Sequence, residues 1–235
     1  MKAITIPQPY AFEILNGWKT IEVNDRDSLY RGDILVCSAR KPAFPILEME
    51  EIEDEYGALF LYGQALCIAS VVDVRPMRIG DEEKAMMDAV DPDAYSWVLD
   101  DIRPVIPFPI KEKQAFFEVD NSLVKASPFK YNEPVAVKEG TAAREFGIDF
   151  SGWRGRAADI YNEQAGPMIR VAWDSLTLQG IPLFIIERCE KEGVDWTGAL
   201  LLFDQIEPSE ARDTLNDVQE TIDEIIQDNP SIFGE

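Results

Sequence analysis

The chain contains no histidine. That removes the side chain most often used as a general base near neutral pH and the ligand of most familiar zinc sites. Cysteine is scarce: Cys37, Cys67 and Cys189 are odd in number and far apart. Cys37 and Cys67 fall in apolar, strand-like runs, so buried thiols in a reducing compartment are expected. Long apolar runs are missing, since Gly198 to Phe203 falls far short of the about 20 residues that span a bilayer. The N-terminus has no basic region followed by an apolar stretch. The expectation is a cytoplasmic protein with no membrane partner. Positive charge is also in short supply, with 22 basic against 44 acidic residues and a formal charge of −22. A surface of that sign repels polyanions at long range and disfavours sequence-independent nucleic-acid binding through counterion release. A local positive patch remains open, because charge at contact counts within a Debye length of roughly 8 to 10 Å. The EF-hand spacing is absent, and Asp149, Asp159 and Asp174 read as scattered acids of an acidic chain. No metal and no cofactor is expected.

What is present suffices for a core: 235 residues, 46% of them hydrophobic, allow one or two domains. The densest stretch is Ile4 to Asp33. A short strand, Ile4-Thr5-Ile6, runs into Pro7-Gln8-Pro9, which cannot continue a ladder. Ala11, Ile14 and Leu15 recur at helical spacing over Tyr10 to Leu15, and Gly17 stands where a C-terminal cap is wanted. Lys19 to Val23 alternates as a strand, with Ile21 and Val23 on one face and Thr20 and Glu22 on the other. A basic and two polar side chains thus follow a glycine-terminated helix, a natural lip for a pocket.

Arg31-Gly32-Asp33 reads as a turn into a buried strand, Ile34 to Ala39. The acidic stretch from Pro45 to Tyr62 reads as a loop or solvated helix, and Gly63 to Val74 as a long strand. A helix is expected over Asp81 to Val90 and a strand over Tyr95 to Leu99, with Tyr95 and Trp97 on one face. Pro104, Pro107 and Pro109 place Ile102 to Ile110 at an edge or outside the sheet. Ala115 to Val119 reads as a further strand. Five or so strands with two clear helices suggest a small curled sheet or barrel rather than a βαβ array.

These features together resemble the ASCH domain, a member of the PUA-like superfamily, over residues 3–119. The resemblance lies in the opening Ala3-Ile4-Thr5-Ile6-Pro7-Gln8-Pro9-Tyr10-Ala11, in Gly17-x-Lys19-Thr20-x-Glu22, in Arg31-Gly32-Asp33 before a strand, in the long middle strand, and in Tyr95-x-Trp97-x-Leu99. It implies a β-barrel with flanking helices and a cleft that binds RNA or a nucleotide-like molecule. Some small family members are amidohydrolases of acetylated cytidine that use a lysine, a threonine and a glutamate. Here Lys19 and Glu22 match the family lysine and acid. The hydrolase threonine, three residues after the lysine, is replaced by Glu22, with Thr20 in the neighbouring position. The family arginine two residues beyond the acid is replaced by Asn24.

After a polar joint from Asn121 to Lys130, a strand is expected over Val135 to Lys138. A glycine-punctuated turn region covers Phe146 to Arg156, and strands follow at Ala157 to Ile160 and Met168 to Trp173, separated by a turn at Asn162 to Pro167. Short strands between glycine-rich turns suggest an SH3-like barrel. The order strand, Gly152-Trp153-x-Gly155-Arg156, strand, Trp173-Asp174-Ser175-x-Thr177-Leu178 is similar to a small SH3-like domain of uncharacterised bacterial proteins, over residues 131–200. Pro182 to Lys191 reads as a helix and Trp196 to Phe203 as a short second one. The last helix begins at Pro208, with Leu215, Val218, Ile222, Ile225 and Ile226 on one face. It packs on its own protein or offers a face to a protein partner.

The expected fold is mainly β with flanking helices: an ASCH barrel over 1–125, an SH3-like barrel over 126–180 and a helical extension over 181–235. The expected function is binding of single-stranded RNA or a modified nucleoside. Gln8, Tyr10, Lys19, Glu22 and Trp97 would line the cleft. Tyr10 and Trp97 suit stacking, and Trp97 equally suits a core. Gln8 suits either base-edge recognition or the backbone groups beside the prolines. If the site is catalytic, Lys19, Glu22 and Thr20 would act in hydrolysis of a small acylated nucleoside. Lys19 and Glu22 more simply make an ion pair that orients a ligand. A protein-interaction adaptor with no small ligand is the remaining alternative.

Overall fold

The computed structural model describes residues 1–56, 60–113, 115–143, 147–163 and 166–233. They gather into two compact units, Met1–Pro128 and Phe129–Glu235.

The first unit runs β1 (Lys2–Ile6), α1 (Tyr10–Leu15), β2 (Ile21–Asn24), β3 (Gly32–Ser38), α2 (Ile46–Tyr56), β4 (Gln64–Pro76), α3 (Glu82–Ala85), β5 (Tyr95–Pro109) and β6 (Phe117–Glu118). Its six strands form one sheet in the order β2-β5-β4-β3-β1-β6, with β1 parallel to β3 and the other neighbours antiparallel. The near-continuous apolar run of β3 follows from its central place, where both faces are covered. Ile34 and Val36 pack with Ile6, Ala11 and Ile14 on the α1 side, while Leu35 and Cys37 pack with Ala3, Val105 and Phe117 on the other. All three cysteines are buried and free, and burial pushes the Cys37 thiol up to about 12.

The expected barrel is not there. Among the described residues β2 and β6 are the two edges of an open sheet, and no ladder joins them. The proline-rich residues 102–109 continue β5, at a stretch of the sheet edge where a strand ladder runs along one flank only. It pairs with β4 on one side, where Cys67 faces Pro104 and Gln64 faces Pro109 across a ladder interrupted by bulges. On the other side β2 reaches only Tyr95 to Val98, and the bonds that residues 125–127 make there use the Ile106 N–H and the Pro104 carbonyl, so no proline N–H is needed. The expected helix from Asp81 to Val90 is α3 alone, ended by Met86 in the left-handed region (φ 54°). The strand expected over 115–119 is only Phe117–Glu118, and the acidic stretch is helical as α2, with 57–59 outside the described residues.

The second unit runs β7 (Pro134–Val137), β8 (Ala142–Ala143), β9 (Ile148–Asp149), β10 (Arg154–Glu163), β11 (Gly166–Trp173), α4 (Ser175–Gln179), α5 (Leu183–Glu192), β12 (Gly198–Leu202), β13 (Ile206–Pro208), α6 (Leu215–Asp228) and α7 (Pro230–Phe233). Its main sheet, in the order β12-β11-β10-β7-β13, is also open, and β8 and β9 pair separately. An SH3-like barrel confined to 126–180 is therefore corrected as well: both edge strands of this sheet come from beyond residue 180. The short helix expected over Trp196 to Phe203 is instead β12, registered against Met168 to Ala172. Its run of Leu200-Leu201-Leu202 lacks helical periodicity and gains backbone partners as an edge strand. Residues 146 and 164–165, within the expected turns, lie outside those described, as do 144 and 145. Gly155 is required by close approach, since a Cβ there would stand 2.0 Å from the Ala172 carbonyl oxygen.

A buried ionic clamp fixes the segment before α6. Arg156 on β10 donates to the Asp213 carboxylate (2.6 Å), and the Ser175 N–H donates to its other oxygen (2.6 Å). Beside it, Arg212 grips Asp174 through two bonds of 2.7 and 2.6 Å, while Asp174 caps α4 by accepting from the Thr177 N–H. Burial works against the Asp213 charge, but the Ser175 N–H and Arg156 hold its carboxyl below the usual carboxylate range. With its start so held, α6 lays Val218, Ile222 and Ile225 on the unit's core. Among the described residues, no helix is long and apolar enough to cross a membrane.

Two predictions follow from this unit. Asp213→Ala leaves the nearly buried Arg156 guanidinium without its carboxylate and is expected to destabilise the second unit by about 3 to 5 kcal/mol in urea unfolding. A loss under about 1 kcal/mol would contradict the clamp. Asp159, buried in β10 beside a bulge, has its carboxyl pushed by burial to about 6 despite Arg170. A raised acid favours the folded state fully below its unfolded pKa, and that contribution is lost as pH rises through the folded value. Asp159→Asn is therefore expected to stabilise the protein at pH 8 by up to about 3 kcal/mol. The gain should fade between pH 6 and about 4 when melting is followed across that range.

Candidate functional site

The site is assembled where the end of α1, the start of β2 and the end of α3 meet. Three consecutive local decisions bring them there. Gln8 sits fully buried before α1; its amide oxygen accepts from the Phe12 N–H (2.9 Å) and its amide nitrogen donates to the Leu61 carbonyl (2.8 Å). It thereby satisfies one of the orphan N–H groups of the helix start. At the other end Gly17 adopts φ +74°, and the Trp18 and Lys19 N–H groups both turn back to the Glu13 carbonyl. That left-handed step is open to glycine without strain and reverses the chain into β2. The third element, α3, is set by Asp81. Its carboxylate takes two bonds from Arg75 (2.6 and 2.8 Å) and one each from Ser96 Oγ and the Arg78 N–H, and the Arg75 guanidinium holds it well below the usual carboxylate range.

Lys19 joins the three. Its side chain is 5% exposed, and Nζ donates to the Ala85 carbonyl at the end of α3 (2.6 Å), lies 3.6 Å from Glu22 Oε2 and stands 5.3 Å from the centre of the Tyr10 ring. Glu22 retains 21% side-chain exposure and Tyr10 is half-buried, so the cluster meets solvent on their side. Burial raises the Glu22 carboxyl above its ordinary range, with Lys19 opposing. Burial and the charges of Glu13, Glu22 and Asp88 keep the proton on the Tyr10 phenol.

Glu13 completes the cluster and was not anticipated from the sequence. It is 3% exposed, its Oε1 accepts from the Tyr56 hydroxyl (3.0 Å), and its carboxyl is raised by burial against the pull of Tyr56 and Lys19. Lys19 thus pairs with Glu22 at contact and acts on Glu13 through its charge alone. The only available sequence signal was the spacing of Tyr10, Glu13, Asn16, Lys19 and Glu22, which recur at every third position. Thr20 is engaged through its backbone: its N–H donates to the Lys84 carbonyl and its carbonyl accepts from the Leu99 N–H. Trp97 stands opposite Glu22 in the β2–β5 ladder and belongs to the core cluster against which Tyr10 packs. It is 4% exposed, packs on Phe116 with ring centres 5.1 Å apart, and donates from Nε1 to the Arg26 carbonyl. Among the described residues no group of three or more cysteine, aspartate or glutamate side chains is placed to hold a metal ion.

No family model matches the chain, and no curated protein matches it. Among solved structures, the chain is similar to ASCH from Zymomonas mobilis, at 14% sequence identity and a TM-score of 0.38, over 53% of this chain and 95% of that one. It is likewise similar to two single-residue variants of that protein, at 13% and 14% identity and a TM-score of 0.36 for each. These likenesses cover 53% of this chain and 98% and 96% of the others. The likeness to ASCH-domain structures is thus one at low identity.

Because Lys19 is buried and serves Ala85 and Glu22 together, its removal leaves a carbonyl and a carboxylate uncompensated. Lys19→Met is expected to destabilise the first unit by about 3 to 5 kcal/mol. In a double-mutant cycle with Glu22→Gln, a coupling of about 1 kcal/mol or more is expected. Additive losses would show that the two side chains do not act as a pair.

Proposed function

We propose that the Lys19 cluster binds a small neutral planar molecule of the nucleoside type. The observation that carries this reading is charge balance at a partly exposed aromatic: one ammonium, two carboxylates and the half-buried Tyr10 ring. Two carboxylates to one cation disfavour phosphate, so a nucleotide or a long RNA gains little here, and the formal charge of −22 adds long-range repulsion. A neutral heterocycle escapes that penalty. Its face can stack on Tyr10, and its polar edge meets Glu22 and Lys19, both charged-group partners of above-average hydrogen-bond strength. The resemblance of residues 3–119 to the ASCH domain supports the same ligand class. Within that class, a modified nucleoside fits better than single-stranded RNA. Gln8 supports the site by positioning α1, since both ends of its amide are engaged with backbone. The Lys19 amine is committed as a donor to Ala85, which favours ligand binding over attack on an acyl carbon.

The test is a thermal-shift and calorimetric screen of nucleosides, nucleoside monophosphates and short single-stranded RNAs against the full chain. A nucleoside at 100 times its Kd is expected to add about 2.7 kcal/mol of apparent stability. The matching monophosphate should bind more weakly. Tyr10→Leu should weaken nucleoside binding by roughly 1 to 3 kcal/mol. Preference for the monophosphate or for RNA, or no nucleoside binding at all, would overturn the reading.

A further inference from the structure

Few buried side-chain polar atoms among the described residues lack a hydrogen-bond partner, and three of them belong to two residues one helical turn apart: Glu13 Oε2, Asn16 Oδ1 and Asn16 Nδ2. Glu13 lies on α1 and Asn16 caps its end three residues on, so the two side chains share one face of that turn. A carboxylate oxygen and a whole carboxamide closed off from water are costly to leave unpaired. Glu13 has already given its other oxygen to Tyr56, and when ionised its remaining oxygen can only accept. The Asn16 amide offers one acceptor and a donor side by side.

We propose that Glu13 and Asn16 are specificity-determining residues that read the edge of an amino-substituted heterocycle, one with an exocyclic amine next to an acceptor ring nitrogen. The proposal rests on the nucleoside reading above and names the ligand class within it. Such an edge satisfies all three atoms at once. The amine carries two N–H groups, one for Asn16 Oδ1 and one for Glu13 Oε2, and the ring nitrogen accepts from Asn16 Nδ2. The same amide pairing lets asparagine read adenine in nucleic-acid recognition. The keto counterpart, with a carbonyl and a ring N–H, still pairs with the Asn16 amide but turns its oxygen toward the Glu13 carboxylate. Acceptor then faces acceptor, and Glu13 becomes the discriminating group. Tyr56, bonded to Glu13 and in ring contact with Trp18 (centres 5.2 Å apart), lies against this corner. Trp18 is 41% exposed, so the ring that touches Tyr56 reaches solvent, and the proposal requires Tyr56 and Trp18 to move aside for the ligand.

The experiment compares two matched pairs, adenosine with inosine and cytidine with uridine, by calorimetry on the full chain and on Asn16→Ala and Glu13→Gln, each checked by circular dichroism and thermal melting. In the parent, the amino member of at least one pair is expected to bind at least about tenfold more tightly than its keto partner. Asn16→Ala should weaken the amino member, and Glu13→Gln should bring the two members within about threefold of each other, because a carboxamide also donates. Equal affinities within both pairs in the parent, or a preference unmoved by both variants, would overturn the proposal while leaving nucleoside binding in place. The second of those results would assign the three atoms to a trapped water only. Absence of any nucleoside binding would overturn both readings.

Discussion

A buried ammonium is the constraint on which the first unit depends. Lys19 is almost inaccessible, and an unpaired charge at that depth would cost several kcal/mol. The surrounding structure is arranged to prevent that. The Asp81 clamp from Arg75 and Ser96 fixes α3 so that the Ala85 carbonyl faces the amine, and the left-handed step at Gly17 brings Lys19 back from the end of α1. Glu22 follows on the next strand at ion-pair distance. Backbone, charge and ring face meet at one atom, and each comes from a different element. In the proposed reading, that convergence supplies the positioned donors and acceptors beside a partly exposed aromatic ring.

The local pattern of the sequence carried much of this arrangement. The apolar periodicity of α1, the glycine after it, the buried run of β3 and the amphipathic face of α6 each have one dominant cause, so they can be read from neighbouring residues alone. Lys19, Glu22 and Tyr10 belong to the same class, being set by a helix, a turn and a strand in immediate succession. Closure of the sheets is a different matter. Whether β2 meets β6 depends on twist and on residues far apart in sequence, and alternation along each strand is the same in an open sheet and a barrel. The prolines of β5 were a sound guide to an edge, since beyond β2 the flank meets only the 125–127 segment, through the Ile106 N–H and the Pro104 carbonyl, and no proline N–H is called for.

Glu13 shows a second limit. A glutamate in the first turn of a short helix next to apolar residues is ordinarily a solvated, dipole-favoured acid. Its burial here is decided by Tyr56 from α2, 43 residues later in sequence. Asp174 and Asp213 in the second unit behave alike: read singly they are acids of an acidic chain, and only Arg212 and Arg156 turn them into structural charges. Excess acid therefore hides its own buried members. The few basic residues are the better guide, because in both units the buried ones mark where carboxylates have been drawn inside.

The most direct test of the central claim is the chemical accessibility of the Lys19 amine in the native protein. Brief labelling with an amine-reactive reagent, read by peptide mass spectrometry, is expected to modify the exposed Lys41 and Lys111 while Lys19 stays protected until the chain is unfolded. Labelling of Lys19 at the rate of Lys41 under native conditions would show that the amine is free in solvent and would contradict the account.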